Sequence, residues 1–128
     1  MKLKTSELTG RALDWAVALA ADAKSVECSR IGDYLLELPN SDYFFATGDW
    51  YTFRPSTDWA PCGQLIDIFR MEITNVLVND VWKYYATCPH LMGEYQHGNT
   101  PKLAICRAVV AAQLGDEVEI PDMLLEGK

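Results

Sequence analysis

Between Arg54 and Gly63 the chain reads RPSTDWAPCG, a run that gathers a cation, two hydroxyls, a carboxylate, an indole and a thiol. The residue before a proline is pushed out of the helical region, so Ala60 is expected to be extended and Pro61 to open a helix. That places Ala60, a poor cap, at the helix entry and leaves Asp58 without an ordinary capping role. Ser56 and Thr57 can close a turn with Pro55 at its second position. A helix starting here leaves main-chain N–H donors near Cys62, Gly63 and Gln64, which favour anions. Gly63 would allow close approach to the backbone, and Arg54 supplies the nearby positive charge. Against this stands a plain loop reading, in which Trp59 anchors the turn in the core and Asp58 accepts from a loop amide.

The remaining reactive residues form no recognisable machinery. Cys62 beside a helix start would have a lowered thiol pKa. Its base would have to be His90 or His97, which carry no nucleophile signature and are expected in a surface loop. Cys88 and His90 could offer two metal ligands, short of a zinc site. No carboxylate pair stands in an acid–base motif, and no glycine-rich phosphate loop is present. The expectation is therefore no catalytic residue, no metal and no cofactor. The candidate site is a binding surface made of Arg54, Ser56, Thr57, Asp58, Trp59 and Gly63, with Trp50 and Tyr51 as aromatic companions. Half of the fourteen aromatic residues lie between Tyr43 and Trp59. On a strand they would build core; exposed, they would stack a base or anchor a protein partner.

Composition narrows the partner. The chain has 128 residues, 49% of them hydrophobic, and a net charge of −7. One domain spanning 1–128 with a sizeable core is expected. The acidic balance argues against nucleic-acid binding, which needs Lys and Arg to neutralise phosphates. No apolar run is long enough for a membrane span or a secretory signal. Four cysteines without CxxC spacing are expected to be free and mostly buried thiols in a cytosolic protein.

The elements that must position the site follow from periodicity. Leu8, Ala12, Trp15, Ala16, Leu19 and Ala23 predict an amphipathic helix from about Glu7 to Lys24, capped by Thr5 or Ser6. The stretch SVECSRIGDYLLELP is apolar and short, strand or helix. Tyr43–Ala46 and Trp50–Phe53 read as a hairpin. A short helix over Pro61–Phe69 follows, with Leu65, Ile66 and Phe69 inward. Then come two strands, Glu72–Val78 and Val81–Thr87, turning at Asn79–Asp80. Thr100, Pro101 and Gly115 bracket a last helix whose buried stripe is Leu103, Cys106, Val109, Val110 and Leu114. EVEIP then runs extended. The fold class is α+β: a single domain with two long helices packed on a small, mainly antiparallel sheet and a short middle helix.

Three segments, KTSELTGRALDWAVA (Lys4–Ala18), PSTDWA (Pro55–Ala60) and LGDEVEIP (Leu114–Pro121), resemble the NinX-like family of small phage and prophage proteins. The resemblance implies a phage accessory protein in the bacterial host cytoplasm, and no reaction. In relatives the central motif runs Asp-Trp-Ala, one residue, then Gly-Gly; here Cys62 replaces the first glycine, so a role for a bare diglycine does not carry over. Together these point to a non-enzymatic binder of a host protein or complex that modulates host metabolism or defence. The alternative is a small-molecule, nucleotide-like binding or sequestering protein with its pocket around PSTDWA. A third reading is a small enzyme without a recognisable motif.

Overall fold

The structure, a computed structural model, describes residues 1–28, 33–39, 44–46 and 52–125. Three helices carry the core. Helix α1 spans Gly10–Ala20, α2 spans Trp59–Phe69 and α3 spans Pro101–Leu114. Among the described residues, strands form three small antiparallel sheets. Strand β1 (Lys2–Lys4) pairs with β8 (Glu117–Glu119). Strands β2 (Lys24–Cys28), β3 (Asp33–Glu37) and β4 (Phe44–Ala46) form the second sheet in that order. Strands β5 (Glu72–Val78), β6 (Val81–Thr87) and β7 (Gln96–Gly98) form the third. This is the α+β class, with one correction: the middle helix has 11 residues, as many as α1.

Helix α1 is shorter than its apolar spacing suggests. It begins at Gly10 with Thr9 at the cap, after a 3-10 turn over Thr5–Glu7. Thr5 does not cap it; its hydroxyl donates to the Gly115 carbonyl at 2.6 Å and ties the chain ends of the fold together. Gly10 takes φ +57, so the helix cannot extend backward through it. At the other end Asp22 takes φ +66, and the Asp22 and Ala23 N–H groups bond back to Leu19 and Ala18. That is a Schellman stop with Asp in the left-handed position. The chain then turns into β2 and β3, which settles the ambiguous apolar stretch as a strand pair, Lys24 opposite Glu37.

The expected aromatic hairpin falls largely outside the described residues; of it, β4 is seen as a strand. Its described partner is β3, with Leu35 opposite Ala46. Phe53 is buried outside any strand, and Tyr43, Trp50 and Tyr51 lie outside the described residues. By contrast β5 and β6 match their expected bounds. Asn79 and Asp80 both take positive φ, the mirror-image turn that suits the right-handed strand twist.

Helix α3 also has its expected ends: the Thr100 hydroxyl accepts from the Leu103 N–H, Pro101 opens the helix and Gly115 (φ +95) ends it. Its expected stripe is too narrow. Every residue from Ala104 to Ala111 is buried, while Leu114 is exposed. The helix is central, covered by α1, α2 and the β6–β7 side of the third sheet. It is therefore apolar nearly all round rather than amphipathic.

Gly98 marks the closest approach in this core. A Cβ there would stand 2.6 Å from the Leu103 Cβ and 2.8 Å from the Ala104 nitrogen. Because the obstacle includes helix backbone, Gly98→Ala is expected to destabilise by about 2–3 kcal/mol, the upper range for overpacking. Equilibrium denaturation of the variant measures it, and a change under about 0.5 kcal/mol would show that β7 can back away from α3.

Candidate functional site

The candidate run begins as a tight turn. The Arg54 carbonyl accepts from the Thr57 N–H at 3.1 Å and the Asp58 N–H at 2.7 Å. Pro55 and Ser56 are buried at its bottom, while Arg54, Thr57, Asp58 and Trp59 are exposed. Asp58 is the N-cap of α2, and its carboxylate accepts from the Ala60 N–H at 3.2 Å. This corrects the expectation that Ala60 caps and Asp58 is unoccupied. Pro61 is the third helical residue, still inside the first turn, where its missing N–H is one of the orphans and no helical carbonyl precedes it to clash. A cap of this kind contributes about 1 kcal/mol.

Trp59 does not anchor the turn in the core. It is 48% exposed, and the Lys102 ammonium of α3 lies 4.5 Å from its ring centroid. At that distance the cation meets the ring quadrupole, so the starts of α2 and α3 are fastened at the surface. Gly63, half-buried in α2, has open space where a Cβ would stand. Trp50 and Tyr51, the remaining candidates, lie outside the described residues.

Beneath this surface is a buried polar cluster. Asp14, on α1, is 2% exposed and accepts from the Ser56 N–H at 2.9 Å. Burial pushes its carboxyl up from 3.8 to about 7, against the pull of the Ser56 main-chain bond and the Arg54 charge. The Ser56 hydroxyl is near enough to favour the ionised form, but its Oγ has no partner in hydrogen-bond geometry; the main-chain bond is the fastening. The Cys62 and Cys106 thiols meet between α2 and α3. The neighbouring Cys106 lowers the Cys62 thiol, while burial first and then Cys62 push Cys106 well up.

Cys62, Cys88 and Cys106 are free and buried, as expected, but burial takes Cys62 out of reach of a substrate. The groups acting on its thiol are Cys106, Lys102, Asp14 and Asp58, not a histidine. His90 sits on a 3-10 turn and His97 on strand β7 rather than in a loop, both exposed. Among the described residues no group of three or more metal-ligating side chains converges. Among them, too, no helix is long and apolar enough to cross a membrane.

A cavity of about 600 Å³ opens elsewhere, between the ends of α1 and α3 and the outer face of α2. Phe53, Pro61, Leu65 and Ile68 give its apolar wall, and Asp22, Gln64 and Gln113 its polar edge. None of Arg54, Ser56, Thr57, Asp58, Trp59 and Gly63 lines it. The sequence reading missed Asp14 and Lys102. Asp14 stands three and four residues before Val17 and Ala18, and a carboxylate on that apolar line of a helix is a signal the sequence does carry.

A family model described as bacteriophage P22, NinX matches residues 4–113. The chain belongs to that family. The match takes in all three helices almost to the last residue of α3, and with them the whole turn, cap and buried cluster just described. The segment Leu114–Pro121, which shares the resemblance, lies beyond it. Membership marks the chain as a phage accessory protein. No curated protein matches it.

Proposed function

We propose that this NinX-family protein works in the bacterial host cytoplasm as a non-enzymatic binder of a host protein, using the surface at the start of α2. The observation that carries the reading is Trp59: nearly half exposed at 48%, yet held at the first position of a helix under the Lys102 ammonium. An indole already ordered loses little entropy on docking, and Trp and Arg dominate the energetics of protein interfaces. Arg54, Thr57 and Asp58 are exposed around it and would form the polar rim.

A second reading uses the 600 Å³ cavity, whose size is within the range of small-molecule sites. Among the described residues its lining has Asp22 and two glutamines but no Lys or Arg. That favours a weakly polar molecule over a nucleotide, whose phosphates need cations.

Native mass spectrometry of protein recovered from host cells tests both. The expected result is a stoichiometric complex with one reproducible host protein, weakened at least tenfold by Trp59→Ala. Capture untouched by that substitution removes the surface at α2. A small-molecule mass that vanishes with Ile68→Trp, which fills the cavity, would replace the first reading by the second.

A further inference from the structure

We infer that a second copy of this chain pairs along the outer edge of β5, joining two three-stranded sheets into one six-stranded sheet across a two-fold axis. This face is separate from the surface at α2 and independent of the reading given to it. Among the described residues strand β5 is the edge of its sheet, seven residues long, and everything along it but Ile73 is exposed. Its register with β6 is unbroken from Glu72↔Thr87 to Val78↔Val81, so no bulge blunts the edge. It carries no proline and no lysine, the usual guards of an open edge. The hairpin also reaches beyond β7, which pairs only as far as Tyr84. Leu77 and Trp82 are each 52% exposed and Val81 58%, with Val76 and Val78 exposed beside them. An acidic chain thus presents an apolar, nearly uncharged ladder to water.

The occupant follows from the strand's own symmetry. The two-residue mirror-image turn makes Val78 and Val81 the closing hydrogen-bonded pair. Alternation then points the main-chain groups of Val78, Val76, Thr74 and Glu72 at β6. Those of Ile73, Asn75 and Leu77 point outward, without a strand to meet among the described residues. A two-fold axis perpendicular to the sheet at Asn75 sets Asn75 against Asn75 and Ile73 against Leu77 of the second copy. All three outward residues then bond at once, about six main-chain hydrogen bonds along roughly 23 Å of strand.

Side chains agree with this register. Ile73 meets Leu77 on one face, flanked by Trp82, and Thr74 meets Val76 on the other. Arg70 of each copy comes to the end that carries Asp80 of the other, opposite charges at both ends. Shifting the axis to Val76 would put Glu72 against Asp80 instead, like against like. The strand edge and its flanking side chains bury less than the roughly 1,600 Å² of a standard interface, so the pairing is reversible and concentration-dependent.

Sedimentation of the full chain from low to high micromolar concentration is expected to show a monomer–dimer equilibrium. Asn75→Pro removes only an outward N–H and keeps the β5–β6 ladder, so it should fold and weaken the dimer at least tenfold. A mixture of Thr74→Cys and Val76→Cys chains, oxidised with diamide, should cross-link far more than either alone, since those positions are directly opposed and close. A monomer at every concentration overturns the inference. So does a dimer that ignores Asn75→Pro, or cross-linking of the mixture no greater than that of single variants or wild type. A monomer whose hairpin instead holds a host protein overturns it equally.

Discussion

Between about pH 4 and pH 7 the fold is expected to lose up to about 4 kcal/mol of stability through one carboxyl group, that of Asp14. In the unfolded chain it ionises near 3.8; in the fold, burial holds its proton until about 7. Below pH 4 both states carry the proton and the contribution is fully present. As pH rises the unfolded chain releases its proton first, which favours unfolding, and the loss levels off once the folded carboxyl has ionised too. At neutral pH the protein therefore keeps a half-ionised carboxylate inside, held by the Ser56 N–H and the field of Arg54. Asp14→Asn keeps a carbonyl acceptor for Ser56 without the charge. The variant should show a much flatter stability profile from pH 5 to 8 and exceed the wild type at pH 8. Asp14→Ala should instead lose about 1–3 kcal/mol at pH 5, because the buried Ser56 N–H is then unpaired. Urea titrations at pH 5, 6, 7 and 8 decide it; an Asn variant with the wild-type slope would show that Asp14 is not the titrating group.

The tripeptide Asp-Trp-Ala occurs twice, at Asp14–Ala16 and Asp58–Ala60, and its two fates show how far sequence reasoning reaches. In the first copy the carboxylate is buried mid-helix; in the second it caps a helix, and its Trp is outside. Local sequence decides neither, because the difference lies in what packs against each copy. Where the determinants are local the sequence sufficed: Asn79–Asp80 fixed the β5–β6 hairpin, and Thr100, Pro101 and Gly115 fixed α3. The cap of α2 was misread because Pro61 is equally at home in the third helical position and the first. The all-round burial of α3 and the pairing of β1 with β8 depend on segments over a hundred residues apart in part, which periodicity cannot see. Of the candidate residues, Arg54, Thr57, Asp58 and Trp59 are exposed together and Ser56 lies beneath them; a carboxylate on the apolar line of α1 is visible in the sequence, but its pairing with the Ser56 N–H had to come from the fold.

Replacing Arg107 by Met is expected to cost about 3–5 kcal/mol. Arg107 sits within the buried run of α3 at 8% exposure. Its Nε donates to the Leu8 carbonyl at 3.0 Å and its Nη1 to the His97 carbonyl at 2.8 Å. Burial lowers its pKa, but a guanidinium stays charged, and two carbonyls stand in for water around it. Each bond from a charged donor is worth about 1.5–3 kcal/mol, and both acceptors would lose that donor together. Relief from burying the charge offsets part of this, which is why the range stops near 5. Lysine has one compact ammonium where the guanidinium has a rigid fork, so Arg107→Lys should keep one bond and lose about half as much. The ranking Arg, then Lys, then Met in denaturation midpoints is the expected outcome. A Met variant as stable as wild type would show that the charge costs as much as its bonds return. The loss should also be local in a way a general core defect is not. His97 belongs to β7, the strand that holds β6 against α3, so hydrogen exchange in Arg107→Met should quicken first at Gln96–Gly98 and along β6.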